Sequence, residues 1–300
     1  MTETNTWVTE QRNEHTLHID QVSTVEMLTL MSDEDSLVPL AVRKQIPQIA
    51  AATEEACRRL RQHGRLFYAG AGTSGRLAAL DAAEWPPTFG VDGSIVQVIV
   101  AGGDVALRTA SEGNEDDRAA GETQARSRIC AADMVVGLSA SGHTPFTLGV
   151  MVEARRRGAY VVGVTCNPRS QMEAVADLVI APIVGPEILQ GSTRLKAGTA
   201  QKLVLNMLST AIMTRMGNVY SNLMVGVRPK NSKLRARAIR IIAQATGCSL
   251  HTAESVLAQA DDDVKVAIVM LGAACDRENA RERLTRYKGV IADALSADER

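Results

Sequence analysis

The stretch "YAGAGTSGR", Tyr68 to Arg76, decides the fold. It follows the apolar "RLF" at 65–67 and leads into "LAALDAAEW" at 77–85. Gly70, Gly72 and Gly75 spell G-x-G-x-x-G, a turn that carries a strand into a helix and lets backbone N–H groups approach a phosphate. Outward from it, short apolar runs alternate with helical segments: "RLFYA" at 65–69, "SIVQVIVAG" at 94–102, "DMVVGLS" at 133–139, "AYVVGVT" at 159–165 and "ADLVIAP" at 176–182. Continuous Val/Ile runs, each closed by a small or polar loop, are the pattern of parallel strands covered on both faces. The expectation is an α/β fold, an open, doubly wound parallel sheet of about five strands.

Helices flank this region. An extended arm over the first 40 residues leads into a helix around "TVEMLTLMSDED", and "VRKQIPQIAAATEEACRRLRQHG" reads as a helix capped by Gly64. After the last strand, "STRLKAGTAQKLVLNMLSTAIMTRMG" at 192–217 forms a long helix whose apolar surface exceeds one packing stripe, so part of it is expected to face a second subunit. From Lys230 onward strands vanish, and "SKLRARAIRIIAQATG", "SLHTAESVLAQA" and "DVKVAIVMLGAAC" read as short helices. The expected division is therefore residues 1–229, an α/β domain with a helical arm, and residues 230–300, a small all-helical domain.

Composition narrows the function. A net charge of −1 and 3% aromatic residues give neither the basic footprint nor the stacking platforms of a nucleic-acid binder. The five cysteines contain no C-x-x-C pair, which reads as reduced thiols in a cytosolic chain without a zinc site. The polar "MTETNTWVTEQRNEHTLHID" lacks the apolar core of a secretory signal, and no apolar stretch is long enough to span a bilayer. A cytoplasmic protein without membrane partners is expected.

Ligands of open α/β sheets bind beyond the carboxyl ends of the strands. Three loops there combine glycine with hydroxyl residues at a helix start: "GAGTSGR" with Gly72, Thr73 and Ser74; "SASGHTP" with Ser139, Ser141, His143 and Thr144; and "QGSTRLK" with Ser192, Thr193 and Lys196. Glycine gives access to N–H groups, the helix start adds partial positive charge, and hydroxyls donate without net charge. A tight turn that merely packs helix on strand explains one such loop, but not three on one sheet edge. A dinucleotide would need an acid at the end of the second strand for its ribose. Asp92 precedes that strand and Asp104 lies beyond Gly102 and Gly103, so a small phosphorylated ligand fits better. His143 suits an anion donor, whereas Lys196, Arg194 and Lys202 either neutralise phosphate or lie solvated on a helix face.

The carboxylates divide. Glu84, in "LDAAEWPPTFG", ends an apolar helix stopped by Pro86 and Pro87, where the helix dipole disfavours an acid. It stands about 15 Å along the helix from Ser74, so it serves a sugar extending from the loop or a site shared with another subunit. Glu112, Glu115, Asp116 and Asp117 charge the start of a following helix, and nothing in their spacing distinguishes a catalytic member.

Taken together, "GAGTSGRLAALDAAEWPPTFG", "EGNEDD", "SASGHTP", "CNP", "GSTRLKAGTAQKLVLNMLSTAIM", "TEQRN" and "ATGCS" closely resemble the N-acetylmuramic acid 6-phosphate etherases over nearly the whole chain. The resemblance implies a sugar isomerase-type fold, a homodimer, and a terminal helical domain similar to ubiquitin-associated modules. It also implies cleavage of the D-lactyl ether of N-acetylmuramic acid 6-phosphate in cell-wall sugar recycling, with neither metal nor cofactor. The family's two functional glutamates fall on Glu84, as acid, and Glu115, as base. Trp85 stands where relatives often have cysteine, and His143 where many have arginine. Two other readings share the loops: an aldose–ketose isomerase, and a sugar-phosphate-binding regulator like the glucokinase regulatory protein, which would bind without turnover.

Overall fold

The computed structural model describes residues 7–110, 112–229 and 231–296. Ser111, within the acidic run, and Lys230, at the expected domain boundary, lie outside the described residues, as does the start of the arm at 1–6. The chain packs into two units, one of residues 1–82 and 94–208, the other of 83–93 and 209–300.

In the first unit, two 3-10 turns, Val8–Glu10 and Glu14–Thr16, precede α1 (Thr24–Asp35), α2 (Leu37–Arg43) and α3 (Ile46–Arg61). Pro47, in the first turn of α3, explains why α2 and α3 are separate where one helix is expected: proline suits a helix start and interrupts a helix interior. Gly64 is not the cap. His63 takes the left-handed conformation, φ 63°, and Gly64 is needed because a Cβ there would lie within the Ala132 carbonyl.

Five parallel strands follow, β1 (Leu66–Gly70), β2 (Val96–Val100), β3 (Met134–Leu138), β4 (Tyr160–Val164) and β5 (Leu178–Ile180), in the order β2-β1-β3-β4-β5. Between them come α4 (Gly72–Phe89), α5 (Arg118–Arg128) and α6 (Pro145–Arg156), and α7 (Lys196–Arg215) follows β5. β1 and β3 are buried along their whole length and pair in register from Leu66 with Met134 to Gly70 with Leu138. Phe67, Ile99, Val135, Phe146, Met151, Val161 and Met172 join in one core beside the sheet. Because the chain steps outward from β1 to β2, then back to β3, their carboxyl ends diverge at a topological switch point, where such sheets open a crevice.

The second unit holds a short hairpin, β6 (Val219–Tyr220) and β7 (Leu223–Met224), which the sequence pattern does not announce. Ser221 turns it with φ 54°. Helices α8 (Ser232–Thr246), α9 (Leu250–Gln259), α10 (Val264–Gly272), α11 (Arg277–Arg286) and α12 (Ile291–Leu295) pack around Ile242, Leu257, Val264, Ile268 and Ile291. Asn231, Ser249, Asp263 and Asp276 each accept a backbone N–H at a helix start, as N-caps do. Pro86 and Pro87 do not stop α4, which continues to Phe89, with Trp85 buried and packed edge-on to Phe89. Among the described residues no helix is long and apolar enough to cross a membrane.

Candidate active site

The loops that leave β1 and β3 at the switch point line a cavity of about 440 Å³, within the range of small-ligand sites. Gly72, Thr73, Ser74, Ser139, Ser141, Thr144, Thr193 and Glu115 all contribute to its wall. Two helices start there. Neither α4 nor α6 carries an acidic residue in its own first turn, and each start favours negative charge beside it.

Local sequence explains the arrangement. A Cβ on Gly75 would lie 2.9 Å from the Gly70 carbonyl and from Val100 Cγ1, so glycine lets α4 rise directly off β1. In the second loop the Ser139 hydroxyl lies 2.7 Å from Thr144 Oγ1 and 3.2 Å from Ser141 Oγ, and accepts the Gly142 N–H at 3.0 Å. The Ser141 hydroxyl accepts the His143 N–H at 3.2 Å. These bonds hold three hydroxyls together at the start of α6. Ser74 is tied elsewhere, donating to Gln201 Oε1 on α7 at 2.9 Å.

The acidic run resolves into distinct roles. Asp117 caps α5 by accepting the Ala120 N–H at 2.8 Å, and Asp116 is exposed. Among the described residues of this run Glu115 lines the cavity, half-buried, with its carboxylate against Gly72: a Cβ there would lie 2.6 Å from Oε1. α5 packs tightly on α6 through Gly121 and Gly149, where a Cβ would meet the Phe146 and Arg118 carbonyls at 2.2 and 2.3 Å. That crossing brings Glu115 over the start of α6, where its carbonyl accepts the Phe146 N–H at 3.0 Å.

Four expected residues stand outside the lining. Ser192 is half-buried, its N–H bonded to the Leu189 carbonyl. The His143 ring stacks on Trp7, centroids 4.1 Å apart and planes within 10°. Glu84 is exposed on α4, in the second unit. Lys196 is buried, and its ammonium pairs with Glu34 of α1. The start of α7 is likewise occupied internally, because buried Glu187 accepts the Lys196 and Ala197 N–H groups, each at 2.9 Å. Burial raises the Glu187 carboxyl above its ordinary value, with those N–H groups and the Lys196 charge opposing it. The third loop therefore offers Thr193 to the cavity, not a helix start.

The sequence reading missed several wall residues, Trp7, Glu10 and Arg76 among them. Arg76 donates to the Ala106 and Thr109 carbonyls at 3.1 and 2.9 Å, fixing the loop before Glu115. Asn167, in "CNP", joins the arm to the second loop, donating to Thr9 Oγ1 at 2.8 Å and to the Ser141 carbonyl at 3.3 Å. A larger cavity, about 530 Å³, lies in the second unit beside Asp261, Asp262 and Lys265, but no hydroxyl-rich strand-to-helix loop reaches it. Among the described residues no cluster of three or more His, Cys, Asp or Glu is placed to hold a metal ion.

Comparison with known proteins agrees with the fold. Residues 48–155 match the glucokinase regulatory protein N-terminal SIS domain, and residues 114–211 match the SIS domain. Solved phosphoheptose isomerases from Neisseria gonorrhoeae and Francisella tularensis share the fold, with TM-scores of 0.52 and 0.53 at 19% and 17% identity. Each comparison covers 64% of this chain and 100% of the other. N-acetylmuramic acid 6-phosphate etherases are far more similar. That of Pectobacterium atrosepticum is 50% identical across 97% of this chain and 96% of its own. That of Caldanaerobacter subterraneus subsp. tengcongensis is 48% identical across 96% and 94%, and that of Symbiobacterium thermophilum 52% identical across 90% of both. At that identity over almost the full length, the chain belongs to the N-acetylmuramic acid 6-phosphate etherase family.

Proposed function

We propose that this chain cleaves the D-lactyl ether of N-acetylmuramic acid 6-phosphate, giving N-acetylglucosamine 6-phosphate and D-lactate in the recycling of cell-wall sugars. The observation that carries the reading is the Glu115 carboxylate set against Gly72 in a hydroxyl-lined cavity at the switch point. The hydroxyls of Thr73, Ser139, Ser141, Thr144 and Thr193, with the N–H groups of the α4 and α6 starts, bind the 6-phosphate and position the sugar. Ser74, Ser192 and His143 support the loops that do so, and Lys196 ties the start of α7 to α1 through Glu34.

In the open-chain sugar the C1 aldehyde makes the C2 proton removable. Glu115, ionised, takes that proton; the positive end of α4 favours a carboxylate there. Glu84, protonated, gives its proton to the ether oxygen as the C3–O bond breaks and lactate leaves. Water then adds its oxygen to C3 and C2 regains a proton, so the sum is ether hydrolysis by a carbon–oxygen lyase. One glutamate starts ionised and the other protonated, which requires different surroundings.

A homodimer and a cytoplasmic setting belong to this proposal, as does a division into residues 1–229 and 230–300. Support for a dimer comes less from α7, which buries Val204, Leu205, Leu208 and Ile212, than from exposed Val25, Leu28, Leu37 and Leu40 on α1 and α2. The five free cysteines suit a reducing compartment. Incubation with N-acetylmuramic acid 6-phosphate should release D-lactate without added metal. Tight sugar-phosphate binding without lactate would favour the regulator, and aldose–ketose interconversion the isomerase.

A further inference from the structure

Trp7 and Glu10 reach the cavity from a segment remote in sequence from every phosphate loop. The arm that carries them is pinned. Thr9 and Asn167, both buried, exchange two hydrogen bonds, N–H to Oδ1 at 3.2 Å and Nδ2 to Oγ1 at 2.8 Å. Gln190 donates to the Glu10 carbonyl at 2.9 Å, and Thr16 Oγ1 donates to the Ile188 carbonyl at 2.8 Å. The Trp7 indole is backed by the stacked His143 ring. A Cβ on Gly191 would lie 3.4 Å from Glu10 Oε2, which places the carboxylate beside the loop that carries Thr193.

No donor among the described residues holds that half-buried carboxylate, although the Thr9 N–H and the Glu10 carbonyl beside it are bonded. An ionised carboxylate accepts hydrogen bonds only, so it repels the phosphate that the hydroxyl loops attract. Its partner must be the uncharged part of the same ligand, whose hydroxyl and amide groups are donors. A carboxylate that accepts from such donors makes one of the stronger hydrogen bonds available. An aromatic face beside it suits the C–H surface of a sugar.

We propose that Glu10 and Trp7 form the sugar-recognition subsite of this cavity. Glu10 accepts from a sugar hydroxyl or amide N–H, and Trp7, braced by His143, walls the carbon face. The inference rests on the phosphate-site reading above. Calorimetry on the full chain, with N-acetylglucosamine 6-phosphate and with inorganic phosphate as probes, tests it. Glu10→Gln and Trp7→Ala should each weaken sugar-phosphate binding roughly tenfold or more, with inorganic phosphate unaffected. If Glu10→Gln folds poorly, Glu10→Asp carries the same comparison. Unchanged affinity for the sugar phosphate, or parallel loss for both probes, overturns the subsite. Wild-type protein that binds neither probe contradicts the phosphate site itself, a separate outcome.

Discussion

The Glu115 carboxylate rests so closely on the α-carbon of Gly72 that a methyl group there would stand 2.6 Å from Oε1. Gly72 also takes φ 52°, the left-handed region. A single glycine thus serves both the phosphate loop and the candidate base. Gly72→Ala should cost about 1 kcal/mol of stability for the backbone conformation and displace Glu115, lowering kcat at least roughly tenfold. Thermal melting and a D-lactate assay on the same protein separate the two effects. Full turnover by the variant would show that Glu115 need not sit there.

The two glutamates should fail differently. Glu115→Gln removes the proposed C2 base and should abolish both exchange of the C2 proton with deuterated solvent and lactate release. Glu84→Ala removes the proposed acid and should block lactate release while exchange persists. Each loss should be about 10²- to 10⁴-fold in lactate formation. Proton NMR of the sugar follows exchange, and lost exchange in Glu84→Ala would exchange the two roles.

Lys196 is paired inside the fold. A lysine at a helix start beside hydroxyl residues reads as a phosphate ligand, but its partner Glu34 lies 162 positions away. Lys196→Met should leave Glu34 without its buried partner and cost about 3 kcal/mol. The affinity for inorganic phosphate should stay near wild type, as calorimetry would show. A large loss of phosphate affinity at unchanged stability would return Lys196 to the ligand.

Acid should loosen the first unit. Burial pushes the Asp133 carboxyl up, but hydrogen bonds from Arg65 and the Cys130 N–H outweigh it and hold it below its ordinary 3.8. Burial likewise pushes the Glu34 carboxyl up, but hydrogen bonds from Lys196, His15 and Asn13 outweigh it and hold it below its ordinary 4.5. Both folded-state values are depressed, so their stabilisation is complete above the ordinary carboxyl values and fades as pH falls through the lowered ones. Denaturant melts should show constant support from these groups near neutrality and a decline below about pH 4. Asp133→Asn should flatten that decline, and an unchanged acid limb would contradict the assignment.

The sheet was legible because its strands are unbroken Val/Ile runs between glycine-rich loops, a local signal. The loops at β1 and β3 were legible for the same reason. Glu115 was not separable from Asp116 and Asp117 by spacing, since the choice is made by the close crossing of α5 on α6 at Gly121 and Gly149. Trp7 and Glu10 were hidden because the arm reaches the site through Thr9 and Asn167, 158 positions apart. Pro86 and Pro87 mark a helix stop by propensity, but buried Trp85 and Phe89 carry α4 past them.

Elimination and then water addition at the C3–O bond of N-acetylmuramic acid 6-phosphate is the reaction proposed for this cavity. Turnover in ¹⁸O-labelled water, with mass spectrometry of both products, tests it directly. The predicted result is unlabelled D-lactate and one ¹⁸O in the N-acetylglucosamine 6-phosphate hydroxyl at C3. Labelled lactate, or no lactate at all, would contradict it.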